Sequence, residues 1–137
     1  MTTYTEHITL QTDKRRELFY ITPRIGGAIQ KSGITDGLVM ISVLHSNAGV
    51  FINDDNPGLL RDIDEWLEKL APVRDDYHYG STHESNAGTH LQGLLLGGGA
   101  TLAITGGKLE LGAWRQIFYA ELDGGRPKRV VAKIIGV

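Results

Sequence analysis

Apolar and polar residues alternate from Tyr4 to Leu10, placing Ile8 and Leu10 on one face, the signature of a half-buried strand. Leu18 to Ile21 predicts a short second strand. The period then changes: Ile25, Ala28 and Ile29 fall on one helical face, with Thr22 as the expected cap, Pro23 at the first helical position and Gly33 as the stop. Leu38 to Leu44 is a continuous apolar run and predicts a strand buried on both faces. Val50-Phe51-Ile52 predicts another short strand. The strongest helical pattern follows Asp54-Asp55-Asn56-Pro57, where Leu59, Leu60, Ile63, Trp66, Leu67 and Leu70 form one apolar face and Pro72 ends the segment.

A further helical segment carries His90 near its start and stops at Gly97-Gly98-Gly99. Strand patterns then resume. Ala100 to Ile104 and Lys108 to Leu111 flank the hairpin turn Thr105-Gly106-Gly107, and Ile117 to Leu122 and Val130 to Ile135 flank a polar turn through Asp123 to Pro127. With no repeat and no linker, residues 1–137 read as a single α+β domain. Mixed or antiparallel sheets of seven or eight strands, sandwich-like, with about three helices are expected.

Composition narrows the function classes. The 14 basic and 16 acidic residues are interspersed, giving a net charge of −2, so no nucleic-acid groove or polybasic membrane patch is expected. No cysteine is present, which excludes a disulfide framework, a thiolate metal site and a cysteine nucleophile. No apolar run reaches the roughly 18 residues of a membrane span, and Met1-Thr2-Thr3-Tyr4 opens no signal peptide. A cytoplasmic protein is the expectation.

Candidate chemistry concentrates in the histidines. Four of the five lie between residues 45 and 90: His45 after an apolar run, His90 ahead of one, and His78 and His83 in the polar stretch between. Imidazole binds transition metals and moves protons near neutral pH. A bound ion would need three such ligands. His45 and His90 also fit plain structural roles, one bonding a backbone carbonyl and the other starting a helix. His78 and His83 fit exposed loops, and His7 the surface of a strand. Asp62, Asp64, Glu65 and Glu68 fit a solvated helix face; Trp66 fits the helix core, and Trp114 either core or pocket wall.

Three stretches carry a resemblance. They are His45-Ser46-Asn47-Ala48-Gly49-Val50-Phe51-Ile52-Asn53-Asp54, then Asn86-Ala87-Gly88-Thr89-His90 with Leu94 to Gly97, then Gly107-Lys108-Leu109-Glu110-Leu111-Gly112-Ala113-Trp114. Arg129-Val130-Val131 and a near-terminal Gly136 complete the order. Together they resemble the YjbQ-type family, which is associated with secondary thiamine-phosphate synthase activity. Several polar positions depart from the family pattern. Asn47 replaces a hydroxyl residue, Asp54 a glutamate and Arg115 a glutamine. A family histidine falls on Tyr79, with His78 one residue out of register.

The resemblance implies a homotrimer with its site close to a subunit boundary, where Arg115, Arg126, Lys128 and Arg129 would reach a neighbour's site or an anionic, phosphorylated ligand. It implies joining of a pyrimidine pyrophosphate to a thiazole phosphate with loss of pyrophosphate. On that reading His45, Asn53, Asp54, Asn86 and His90 are the candidate catalytic residues, and Asn47, Trp114 and Arg115 line the ligand pocket. A divalent ion, zinc or magnesium, would be held by His45 and His90, with His83 as the expected third ligand, His78 as the alternative, and Asp54 or Glu84 as oxygen donors. The other readings are a metal- or anion-binding trimer without turnover, and a metal-assisted hydrolase with Asp54 or Glu84 as the base.

Overall fold

A computed structural model describes residues 1–74, 76–79 and 87–137. The described elements are β1 (Thr2–Gln11), β2 (Glu17–Tyr20), α1 (Thr22–Ser32), β3 (Asp36–Val43), β4 (Ala48–Asp54), α2 (Pro57–Leu70), α3 (Ala87–Leu96), β5 (Gly99–Thr105), β6 (Lys108–Leu109), β7 (Arg115–Glu121) and β8 (Pro127–Gly136). They form two sheets, ordered β1-β8-β3-β5-β6 and β2-β7-β4. Every pairing between these strands is antiparallel. The α+β sandwich expected from the pattern is therefore present, with eight strands and three helices among the described residues.

The inner faces of the two sheets share one apolar core. Ile8 and Leu10 of β1, Val39 and Ile41 of β3, Leu102 and Ile104 of β5 and Val130, Ala132 and Ile134 of β8 pack with Val50, Ile117 and Tyr119 of the smaller sheet. Alternation makes this possible, because every second residue of each strand reaches the same face. Helix α1 adds Ile25, Ala28 and Ile29 to that core.

Helix α2 begins as predicted: Pro57 is its first residue, and the Asn56 side chain accepts from the Leu59 amide at 3.0 Å. Helix α3 lies close against β4. A Cβ on Gly93 would stand 2.8 Å from the Ser46 carbonyl oxygen and 2.9 Å from that of Ala48, so only a residue without a side chain fits there.

Four expectations are corrected. Thr22 does not cap α1. It is the first helical residue, and its hydroxyl accepts from the Ile117 amide at 2.8 Å, tying the helix to β7. Strand β3 is buried on one face only: Val39 and Ile41 point into the core, while Leu38 and Met40 are 49% and 46% exposed. Its outer face is apolar yet uncovered in the single chain, and the sequence run carries no mark of that difference. Trp66 is half-exposed on α2, whose buried contact is Leu67. Finally, β6 is shorter than the predicted segment and ends at Leu109.

Candidate functional site

His45 sits just beyond β3, in the short connection to β4, and is half-buried. Its Nε2 accepts a long hydrogen bond, 3.3 Å, from the Arg129 backbone amide. An accepting Nε2 carries no proton, so the neutral ring holds its proton on Nδ1. Burial lowers the His45 pKa first, and the nearby Lys128 charge adds to it. Arg126 and Arg129 push the same way, while Glu121 opposes them. Burial first, and the surrounding cations second, thus favour the neutral imidazole.

Beneath His45 lies a polar network inside the fold. Glu121 accepts from the Tyr119 hydroxyl at 2.7 Å on one oxygen, and from Lys128 Nζ at 2.9 Å and the Asp123 amide at 3.1 Å on the other. Burial and the Glu121 carboxylate raise the Tyr119 pKa far above its usual range, so its hydroxyl remains a donor. Asn47 is buried and donates through Nδ2 to Asp123 Oδ2 at 3.2 Å, while its backbone carbonyl accepts from the Leu122 amide. Asn47 therefore braces the β7–β8 turn. Lys128 is 1% exposed and paired with Glu121, so it is not available to a neighbouring chain; Arg126 and Arg129 are exposed.

The Glu121–Lys128 pair was the site feature least visible in the chain. Its signal was present: Lys128 shares the inward face of β8 with Val130, Ala132 and Ile134, where an unpaired lysine would not be buried.

His90 is on α3, half-buried, one turn before Gly93. Gly93, one turn further along the helix, rests on the backbone of Ser46 and Ala48 and seats α3 against the start of β4. The Tyr79 ring lies against the His90 ring, with centroids 5.2 Å apart. Tyr77, His78, Ala87 and Leu91 share a cavity of about 310 Å³ with them. The position of the family histidine is thus occupied by a residue in contact with His90, although the residue is a tyrosine. His83, Glu84 and Asn86 lie outside the described residues.

The remaining candidates gather elsewhere. Asp54 and Trp114 line a second cavity of about 430 Å³ with Asp55, Asn56, Ala113 and Gln116. Asn53 pairs with Gln116 and Asp54 with Arg115 across β4 and β7. Trp114 is 78% exposed, which removes the core reading for it. This cavity is at the far end of β4, and Asp54 lies six positions beyond Ala48 along the strand, about 20 Å at ~3.3 Å per residue. Within one chain, then, Asp54 is out of reach of a water held by His45.

Among the described residues, no three histidine or carboxylate side chains converge closely enough to hold an ion. His45 and His90 do not by themselves fit a divalent metal, which would need further ligands beyond those the described residues bring together. Also among the described residues, no helix is long and apolar enough to cross a membrane.

Comparison with other proteins agrees with the fold and with the motif order. The profile of the UPF0047 protein YjbQ-like family matches residues 6–137. A UPF0047 protein of Methanothermobacter thermautotrophicus is 38% identical over 136 residues, covering 99% of this chain and 94% of its own. One from Methanocaldococcus jannaschii is 40% identical over 129 residues, covering 93% and 91%. Among solved structures, a YbjQ-like protein of unknown function from Sulfolobus solfataricus superposes with a TM-score of 0.94 at 30% identity, covering 99% of both chains. A hypothetical protein from Aeropyrum pernix gives 0.92 at 28% identity, over 98% and 99%. With sequence and fold in agreement along nearly its whole length, the chain belongs to the UPF0047 YjbQ-like family.

Proposed function

We propose that this protein is a cytoplasmic homotrimer that binds a small phosphorylated molecule at the His45 end of β4 and, in its fullest form, acts as a thiamine-phosphate synthase-like transferase. The observation that carries the reading is the neutral imidazole of His45 set among Lys128, Arg126 and Arg129. Exposed guanidinium groups suit phosphate oxygens, and a neutral ring with a proton on Nδ1 adds a donor without a second desolvation cost.

In the transfer step the bond from the pyrimidine methylene carbon to the pyrophosphate oxygen breaks as the thiazole nitrogen bonds that carbon. The electron pair leaves with pyrophosphate. Arg126 and Arg129 would stabilise that departing charge. Asn47, fixed through Asp123, would hold the adjoining backbone in place. Asp54, Trp114 and Arg115 form a separate surface, which a trimer would bring to a neighbour's His45. Metal binding by His45, His90 and His83 belongs to the same proposal, and no step above depends on it.

The test is calorimetric titration of pyrophosphate and thiamine phosphate into the wild-type protein and into Arg129→Ala, with and without magnesium or zinc. Binding weakened at least about tenfold in the variant supports the site, that being the size of one lost charge-assisted hydrogen bond. Equal binding by both proteins, or none by either, removes it. Pyrophosphate release from the two substrates then separates an enzyme from a binding protein.

A further inference from the structure

Of the three helices, α2 buries the fewest of its own residues, although its apolar spacing is the most regular. Leu67 is its one buried residue; Leu60 and Ile63, on the same face, are half-buried. Between that face and the outer face of the β2-β7-β4 sheet lies a cavity of about 300 Å³. The volume is at the lower end of the roughly 300–1,000 Å³ typical of small-molecule sites. Native interiors hold few voids of this size, because unfilled apolar space forfeits dispersion contacts.

The strand register decides which side chains reach this space. Leu18 of β2 lies opposite Ala120 of β7, and Phe51 of β4 shares their face, so the sheet presents apolar groups to the cavity. Glu17 and Glu121 border it only along the strands. They pair on the opposite face, with Phe19 and Tyr119 of the core, and their carboxylates are turned away. The other charges are matched or stand outside. Arg16 donates to Asp64 at 2.6 and 3.1 Å and to Gln92 Oε1 at 2.6 Å, while Arg61 is exposed at the rim. Among the described residues, then, the interior offers apolar surface on both sides and no unmatched charge.

We infer that this cavity binds a small uncharged molecule with an aromatic or branched aliphatic body, held between Phe51 and Ala120 of the sheet and Leu60 and Leu67 of the helix. Such a guest supplies the dispersion contacts that α2 and the sheet lack across the gap. A charged one would give up its hydration to a wall without a partner for it. The inference rests on these walls alone and does not depend on the phosphate reading.

The experiment is titration of toluene, benzylamine and benzoate, which share a ring and differ in charge, followed through the backbone amide NMR signals of Phe51, Leu67 and Ala120. It is run on the wild-type protein and on Leu60→Trp, which fills the space from the helix side. The same spectra report whether the variant is folded, and the charge series in the wild-type protein stands without it. Saturable shifts at those three residues with toluene are expected, at least about tenfold tighter than with either charged analogue and absent in Leu60→Trp. No saturable shift with toluene, equal or tighter binding of benzylamine or benzoate, or unchanged toluene binding in folded Leu60→Trp would overturn the inference.

Discussion

His45 and Lys128 show how one residue's surroundings set its chemistry. The folded chain binds a proton at His45 less readily than the unfolded chain, whose value is the ordinary 6.5. Above that pH both states are neutral there and the stabilising contribution is complete. As the pH falls below 6.5 the unfolded chain takes up the proton first, and stability is lost. Urea unfolding at a series of pH values should therefore show wild-type stability declining more steeply below pH 6.5 than that of His45→Gln. Lys128 tests the buried network. Lys128→Met leaves Glu121 charged and unpaired within the fold, and should cost about 3–5 kcal/mol in denaturant unfolding. Adding Glu121→Leu to it should recover much of that loss. A single-variant effect below about 1 kcal/mol would show that the pair is solvated.

At the scale of elements, the contact of α3 with β4 sets where the helix that carries His90 sits. Gly93 permits it, and Gly93→Ala would force a methyl group against two backbone carbonyls that have little room to shift. Overpacking of this kind costs about 1–3 kcal/mol. The expected result is a lower urea midpoint together with altered ring-proton NMR signals of His90 and Tyr79, since the helix must move away from Ser46. Unchanged ring signals would show that His90 is placed independently of that contact. A cavity-forming change at the other helix, Leu67→Ala, should cost about 2–5 kcal/mol, because Leu67 is the buried anchor of α2.

For the whole molecule, the outer face of the five-stranded sheet is the feature that points beyond a single chain. Leu38, Met40 and Ile135 lie on it next to one another, in strands that pair directly, and all three are substantially exposed. A contiguous apolar face of this kind is a natural surface for assembly. If the proposed trimer uses it, Met40→Glu should lower the mass measured by light scattering from about three chains to one. Trimeric mass in that variant would move the interface elsewhere.

The periodicity of the sequence by itself determined the elements. The spacing of Leu59, Leu60, Ile63 and Leu67, and the alternation in β1, state helix and strand directly, because local geometry decides which residues share a face. Asn56-Pro57 announced the start of α2 for the same reason. The order of histidines, glycines and Trp114 was likewise enough to mark the family. Tertiary structure decided what faces what. Whether Leu38 and Met40 are covered depends on another layer being present, and the same apolar run serves either case. Thr22 exchanged a capping role for a bond to β7, a partner 95 residues away. Lys128 needed Glu121 beside it before its inward position made sense. His45 was placed before one end of β4 and Asp54 at the other, and α3 was seated on the strand through Gly93, by packing and strand length that a local pattern does not encode.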